Sequence, residues 1–342
     1  MSAPRLSVIL PVYNTRQFVG AAIDSILSQT MGDFLFYIVD DGSTDGSGDL
    51  IAERAVHDRR IHLLRQENSG IVASLNRMLA QIETPFVARM DADDIALPER
   101  FARQLEHMER DARLGALGAQ FDEIDVAGRK MPGRTTMPVG KSDVRAELER
   151  RQPIANPTAM FRTQALRAAG LYRPAFRYCE DYDFFLRLSE IAEIDNLPDV
   201  LLLYRRSPEQ MSVLNHGAQT RQAVYARLAH QERLAGRPDP FAGLSALPPL
   251  ADLDRLLGRG GISERVEIDI LDARRYAVGE MGEAEFAEYC SAVARGLPVE
   301  GLRAVLRCLS QTKIGRAVRL ARSLAKGRLT KRVFHNHTAQ NP

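Results

Sequence analysis

The chain has 342 residues, of which 45% are apolar, and a formal net charge of +2. This length and apolar share are enough for the core of one large domain or two. The charge is uneven, because residues 301–342 contain ten Lys or Arg and no Asp or Glu. Residues 1–300 therefore carry about −8 against the whole chain's +2, so a mildly acidic body precedes a strongly basic tail.

Cysteine usage and the lengths of the apolar runs bear on the compartment. Cys179, Cys290 and Cys308 are widely separated, which excludes a disulfide framework and a cysteine metal spacing and indicates a reducing compartment. No signal-peptide pattern is found, because apolar Leu6–Leu10 is short and continues into a proline. No apolar run approaches the ~20 residues that span a bilayer. The sequence therefore predicts a cytoplasmic protein.

Short apolar runs alternate with helical patterns through the N-terminal half. The patterns predict strands at 6–10, 34–39, 61–64 and 86–90, and helices at 16–29, 49–56 and 71–82. Runs with few polar residues are typical of strands that are buried on both faces of a parallel sheet. The alternation therefore predicts an α/β fold with a doubly wound, mostly parallel sheet flanked by helices.

After residue 98 this alternation is lost. The patterns predict helices at 99–110, 163–169 and 181–190, strands at 117–120, 123–126 and 201–204, and an exposed basic loop at 128–140. Beyond residue 215 only helical patterns remain. We therefore predict a first domain over residues 1–215 and a helical C-terminal region over residues 216–342.

The predicted strand at 86–90 runs into three carboxylates, Asp91, Asp93 and Asp94. Side chains at i and i+2 of an extended chain point to the same face, so Asp91 and Asp93 should converge while Asp94 points away. Two converging carboxylates form an oxygen site that suits Mg²⁺ or Mn²⁺. A solvated acidic loop with a helix cap is the simpler alternative.

Polar residues follow all four N-terminal strands. They are PVYN at 11–14, DDGSTD at 40–45, ENSG at 67–70 and DADD at 91–94. Because open α/β sheets bind ligands at the carboxyl ends of their strands, we expect these groups in one crevice. Tyr13 offers a flat face for a base, Asp41 an acceptor, and Gly70 a close backbone approach at a helix N-terminus. This chemistry suits a nucleoside diphosphate.

These motifs resemble those of family 2 glycosyltransferases, which have the GT-A nucleotide-diphospho-sugar transferase fold, a Rossmann-like sheet flanked by helices. The resemblance covers about residues 5–213 and adds VDDGSTD at 39–45, ENSGIVASLN at 67–76, YCEDYDFFLRL at 178–188 and YRRSPEQMS at 204–212. It implies an inverting enzyme that moves a sugar from a nucleoside diphosphate, with UDP expected, to a hydroxyl of a glycan or lipid-linked acceptor.

The resemblance also implies individual roles. Asp93 would bind the Mn²⁺ or Mg²⁺ ion directly, and Asp91 would contact the ribose or support the metal. Asp181 would be the general base, with Glu180 binding the acceptor or orienting Asp181; a helix N-terminal carboxylate is the structural alternative there. The implied nucleotide-sugar contacts are Pro11, Val12, Tyr13, Asn14, Asp41, Asn68, Gly70, Asn76, Asp91, Ala92 and Asp93.

Two positions depart from the family pattern. Many members have a histidine where this chain has Ser207, and a hydroxyl cannot replace a strong nitrogen ligand. Arg205 or Arg206 could pair with phosphate instead. Many members also have an arginine at the position of Leu75, so one nucleotide contact is expected to be missing.

The basic tail has an amphipathic pattern. On a helix over 313–326, basic residues lie opposite an apolar arc of Ile314, Ala317, Val318, Leu320, Ala321, Leu324 and Ala325. The pattern fits either a peripheral contact of residues 313–332 with anionic lipid at the inner face of the plasma membrane, or a helix packed on its own domain. No nucleic-acid partner is expected, because the body is acidic and the tail has almost no aromatic residues.

Two other functions remain as alternatives. A nucleotidyltransferase of related fold would carry a Gly-rich basic loop after the first strand, which residues 11–14 do not provide. A non-catalytic glycan or nucleotide-binding module is opposed by the complete set of Asp41, Asp93 and Asp181, and faintly favoured by Ser207. Turnover of a UDP-sugar would separate the non-catalytic binding module from a glycosyltransferase.

Overall fold

The computed structural model describes residues 3–133, 135–207, 215–274, 278, 281–297 and 301–338. Within these residues, eight strands form one sheet in the order β3-β2-β1-β4-β7-β6-β8-β5. They are β1 Leu6–Val12, β2 Phe34–Asp40, β3 Ile61–Arg65, β4 Phe86–Arg89, β5 Ile95–Ala96, β6 Leu114–Ile124, β7 Met160–Arg162 and β8 Glu193–Arg205. This architecture confirms the predicted α/β class.

The pairing of the strands changes direction across the sheet. Strands β1, β2, β3 and β4 pair in parallel, and so do β6 and β8. The short strand β7 runs antiparallel to β4 and β6, and β5 runs antiparallel to β8. The carboxyl ends of the four N-terminal strands therefore share one edge, which is where the polar motifs were expected to meet.

Helices flank the sheet in the same part of the chain. They are α1 Arg16–Leu27, α2 Ser47–His57, α3 Ile71–Leu79, α4 Arg100–Arg110, α5 Lys141–Leu148, α6 Thr163–Ala168 and α7 Glu180–Ser189. The core forms because strand residues such as Val8 and Phe36 are fully buried against the apolar faces of helices such as α1, which buries Val19 and Ile23. Burying apolar surface in this way is the main force that stabilises such a layered fold.

Two predictions of strand boundaries in the second half were wrong, and two elements were not predicted. The separate strands expected at 117–120 and 123–126 are one strand, because Phe121 and Glu123 stay in the ladder opposite Leu202 and Tyr204. Strand β8 begins at Glu193, well before the predicted 201, since β6 pairs with its polar first half. Strand β7 and helix α5 had no periodic signal long enough to predict them.

Packing divides the chain into two units, residues 1–214 with 229–246, and residues 215–228 with 247–342. The domain boundary at residue 215 stays a prediction. Residues 229–246 pack within the first unit, where Arg233 pairs with Glu190 at 2.8 Å. Helix α8 (His216–Leu234) therefore contributes residues to both units.

The second unit is helical, as predicted. Its other helices are α9 Leu253–Leu257, α10 Ile262–Arg274, α11 Glu283–Ala294, α12 Gly301–Ser310 and α13 Ile314–Thr338. They enclose a small core that includes Phe286, Tyr289 and Leu320. Among the described residues, none of the helices has the length and hydropathy needed to cross a membrane.

Candidate active site

The end of β1 is tied to the end of β2. Val12 is buried beside Asp40, and Pro11 pairs with Val39. Asn14, in a left-handed conformation with φ +50°, accepts a hydrogen bond from the Thr44 N–H at 2.8 Å. Its own N–H donates to Ser43 Oγ at 3.0 Å. These bonds hold the loop that presents Tyr13, whose side chain is 52% exposed.

Asp41 organises the loop before α3. It is buried, and it accepts hydrogen bonds from Gln66 Nε2 at 2.6 Å, Ser69 N–H at 2.8 Å and Gly70 N–H at 2.9 Å. A carboxylate has about four lone-pair sites, so Asp41 keeps little capacity for a ligand. Gly70 has φ +84°, which favours glycine. The predicted contact of Asp41 with a base or ribose remains a prediction, and its visible role is to shape this loop.

Asn76 and Asn68 occupy different environments. Asn76 donates from Nδ2 to the Tyr172 carbonyl at 2.8 Å and accepts from the Tyr172 N–H at 3.1 Å. Its amide therefore joins α3 to the segment before α7. Asn68 is exposed at the rim. Leu75, where many members of the resembling family carry arginine, is fully buried in the core.

The DADD segment is a turn, and not the extended strand that predicted its side-chain directions. Strand β4 ends at Arg89, and the Asp94 N–H approaches the Asp91 carbonyl at 3.4 Å across Ala92 and Asp93. Asp91 and Asp93 are half-buried, whereas Asp94 is buried and accepts from the Arg205 N–H at 2.8 Å. Asp94 is thus separated from the other two by the turn, and not by strand alternation.

The three carboxylates interact electrostatically. Burial, and then the charges of Asp93 and Asp91, raise the pKa of Asp94 well above its usual value. Among the described residues, Asp94 Oδ2 is buried without a hydrogen-bond partner. Such an atom beside two accessible carboxylates is a feature of an oxygen site that is incomplete without a cation.

The described residues do not form a closed metal cage. In the part of the chain that the structure describes, no three His, Cys, Asp or Glu side chains are arranged to hold an ion. Mg²⁺ at phosphate sites usually takes one or two carboxylates and completes its shell with water and substrate phosphates. Asp91 and Asp93 fit an open site of that kind.

Arg89 is the main residue that sequence reasoning missed. It is buried at the end of β4 and forms an ion pair with Asp91. Burial alone would lower the pKa of Arg89, but Asp91 first, and then Tyr172 and Asp181, raise it above its usual value. The arginine therefore lies within electrostatic range of both the DxD carboxylate and the expected base. A cation inside an otherwise apolar strand was the available signal.

Asp181 and Glu180 open helix α7 side by side. Asp181 is half-buried and accepts from Gln152 Nε2 at 2.9 Å. Burial raises the pKa of Asp181, and the Gln152 hydrogen bond opposes part of that rise. Burial and the adjacent Asp181 charge raise the pKa of Glu180 well above its usual value. Tyr172, buried nearby, also has its pKa raised by burial.

Arg205 braces the DADD turn from β8. Its Nε donates to the Asp93 carbonyl at 2.7 Å, its guanidinium also donates to the Asp125 carbonyl at 2.9 Å, and its plane lies over the Phe18 ring at 4.7 Å. Since backbone carbonyls take these donors, the expected pairing of Arg205 with phosphate is not favoured.

Two residues directly after β8 are described. Arg206 pairs with Glu123 at 2.5 Å, and Ser207 is half-buried. Residues 208–212 of the YRRSPEQMS motif lie outside the described residues. The effect of Ser207 on metal affinity stays a prediction.

The chain is similar to known glycosyltransferases. Residues 7–170 match the family model of glycosyl transferase family 2. The amylovoran biosynthesis glycosyltransferase AmsE of Erwinia amylovora is 30% identical over 210 residues, which are 60% of this chain and 78% of the relative.

Two solved structures share the fold. S. aureus TarS 1–349 in complex with UDP-GlcNAc superposes with a TM-score of 0.57 at 16% identity, over 97% of this chain and 92% of that one. The mannosyltransferase PcManGT from Pyrobaculum calidifontis, in complex with GDP-Man and Mn²⁺, gives a TM-score of 0.51 at 16% identity, over 96% and 88%. At these identities the likeness shows a shared fold.

Proposed function

Because the chain belongs to glycosyl transferase family 2 and is therefore a glycosyltransferase, we propose that it catalyses a metal-assisted, inverting transfer. The donor would be a nucleotide sugar, with UDP as the expected nucleotide, and the acceptor a hydroxyl of a glycan or lipid-linked sugar. The proposal rests on one observation: Arg89 pairs with Asp91 and lies within electrostatic range of Asp181. That relation supports a single site for the expected donor and base groups.

The donor half would form along the shared strand edge. The exposed ring of Tyr13 can stack on the base, and the N-terminus of α3 at Gly70 favours the diphosphate. Asp91 and Asp93 would hold a Mn²⁺ or Mg²⁺ ion, which when bound neutralises charge on the diphosphate leaving group. The complexes of TarS with UDP-GlcNAc and of PcManGT with GDP-Man and Mn²⁺ support a nucleotide-sugar donor and a divalent ion.

The acceptor half would be built on the start of α7. Asp181 would accept the proton of the acceptor hydroxyl as its oxygen attacks the anomeric carbon. A carboxylate whose pKa is raised by burial is a stronger base than an exposed one. Glu180, whose pKa is raised by burial and by the Asp181 charge, would bind the acceptor or orient Asp181. One direct displacement would invert the anomeric centre.

The test compares Asp181→Asn with wild type on a soluble acceptor. Transfer should fall by ~10²–10⁴, the usual scale for loss of a general base, while calorimetry shows unchanged donor affinity. The anomeric proton coupling of the product should report inversion. Retained configuration, or equal loss of donor binding and transfer, would contradict the assignment.

The cellular setting belongs to the same proposal. The name of AmsE connects that relative to amylovoran biosynthesis, which supports a polysaccharide or its lipid-linked precursor as acceptor here. An acceptor of this kind would place the enzyme in the cytoplasm at the inner face of the plasma membrane. The predicted contact of residues 313–332 with anionic lipid is part of this proposal.

A further inference from the structure

Helix α12 exposes a row of large apolar side chains. Leu302, Leu306 and Leu309, here called the leucine stripe, are 61%, 56% and 48% exposed. Their spacing of four and three residues places them on one face of the helix. The opposite face carries the smaller Ala304 and Cys308, which are fully buried in the core of the second unit. The helix therefore keeps its largest apolar residues outside.

The next helix, α13, exposes only part of the apolar arc on which the predicted membrane contact was based. The apolar arc of α13 is divided, because Ala317 and Leu320 are buried in the core while Ile314 and Val318 are 65% and 44% exposed. Two of the seven residues of the arc therefore pack inside their own unit. The exposed apolar surface begins earlier in the chain than the predicted 313–332 and centres on the leucine stripe.

Cations border the exposed surface. Arg303 and Arg307 follow Leu302 and Leu306 by one residue each, which places each about 100° around the helix from that leucine, on one side of the stripe. Both are exposed, as is Lys313 in the turn between the helices. A polar face rich in Arg and Lys beside exposed leucines is typical of helices that lie in a membrane interface.

Two cations of α13 connect this helix to the rest of its unit. Arg316 and Arg319 pair with Glu283 at 3.3 and 2.8 Å, and their guanidinium groups lie over the Phe286 ring at 5.0 and 4.7 Å. They attach α13 to α11. The charges of this pair therefore serve packing within the unit, and the charges next to the leucine stripe come from α12 and the turn.

We propose that α12 and the start of α13 form a docking surface for an anionic lipid bilayer. The leucine stripe enters the headgroup region, and Arg303, Arg307 and Lys313 contact lipid phosphates. Charge decides the partner, because residues 301–342 contain ten cations and no carboxylate. A second copy would bring two like-charged surfaces together, whereas anionic lipid attracts each nearby cation. This deepens the membrane contact in the proposed function but does not rest on catalysis.

The experiment measures sedimentation of the full-length protein with vesicles, without donor or acceptor. Wild type should bind vesicles that contain about 30% phosphatidylglycerol, which gives them an anionic surface. It should not bind vesicles of pure phosphatidylcholine. The combined Leu302→Ser and Leu306→Ser variant should bind roughly 30-fold more weakly, since each leucine that enters the headgroup region contributes on the order of five-fold.

A second variant tests the charges. Arg303→Gln with Arg307→Gln should also weaken binding by roughly 30-fold, about five-fold per cation, and the difference from wild type should shrink in high salt. The matched control is Leu256→Ser, a 46% exposed leucine on α9 of the same unit, which should bind as wild type does. Because every substituted side chain is exposed, melting curves should be unchanged.

Several results would overturn the proposal. Equal sedimentation of wild type and the leucine variant would show that the stripe does not meet lipid. Binding to neutral vesicles as strong as to anionic ones would remove the role of the cations. Light scattering that finds a dimer in wild type and a monomer in the leucine variant would identify a second copy as the partner. Transfer to a soluble acceptor, measured in parallel, reports separately on the catalytic proposal.

Discussion

The same substitution should have different effects at two aspartates in the first turn of α7, lowering stability at one and transfer activity at the other. Asp183 has a fully buried side chain that forms ion pairs with Arg173 and, at 3.0 Å, with Arg187. Asp181, two residues earlier, is half-buried and accepts from Gln152. We predict that Asp183→Asn lowers stability and that Asp181→Asn lowers transfer.

The magnitude for Asp183 follows from its partners. Removing one member of a buried ion pair costs about 3–5 kcal/mol, because a charge is left without compensation. Here Arg173 keeps Asp239 at 2.9 Å, and Arg187 keeps the carbonyls of Ala169 and Leu171. We therefore expect the lower end, about 3 kcal/mol. For a unit of this size that corresponds to a fall in melting temperature of roughly 6–12 °C.

The substitution at Asp181 should not lower the stability of the fold. Burial raises its folded-state pKa above the ordinary value, so its ionised form is disfavoured in the folded protein. That penalty is present at pH 7 and disappears as the pH falls through the folded pKa. A neutral Asn at this position should therefore leave the melting temperature at pH 7 unchanged or slightly higher, while transfer falls by ~10²–10⁴.

The assay measures both variants side by side, by thermal melting and by transfer to a soluble acceptor at a temperature below both transitions. If Asp183→Asn had the same melting temperature as wild type, the ion pairs of Asp183 would not stabilise the fold as argued. If Asp181→Asn lost as much stability as Asp183→Asn, its carboxylate would be a structural group and not the base.

Two further predictions concern the donor site and its electrostatics. Asp93→Ala should abolish Mn²⁺-dependent binding of UDP-sugar in calorimetry with an unchanged circular dichroism spectrum, and wild-type affinity in the variant would refute the metal assignment. Transfer should decline as the pH falls through the raised pKa of Asp181, because the base becomes protonated. The charge of Arg89 lowers the pKa of Asp181, so Arg89→Met should move the acid limb of the pH profile of transfer to higher pH. Arg89→Lys, which keeps the charge, should move it less. Identical profiles for wild type and both variants would show that Arg89 does not act on the base.

Local pattern was sufficient for the N-terminal layers. The strand expected at 6–10 is part of β1 and the helix expected at 16–29 contains α1, because burial on both faces of a strand, or on one face of a helix, leaves a periodic trace in the chain. Residues 193–196 of β8 left no such trace. Their strand conformation comes from parallel pairing with β6. This pairing cannot be predicted from a segment of mostly polar side chains, because such a segment has no apolar periodicity.

The sequence by itself determined which segments meet at the site, since the order of the strands and the polar motifs after them place those motifs on one sheet edge. Only the tertiary structure decided what each side chain does there. The pairing of Arg205 with Asp94 joins residues 111 positions apart, and the outward leucine stripe depends on which face of α12 the neighbouring helices cover. Periodicity reports that a helix has an apolar face, but the packing of distant segments determines whether that face is buried or left for a partner.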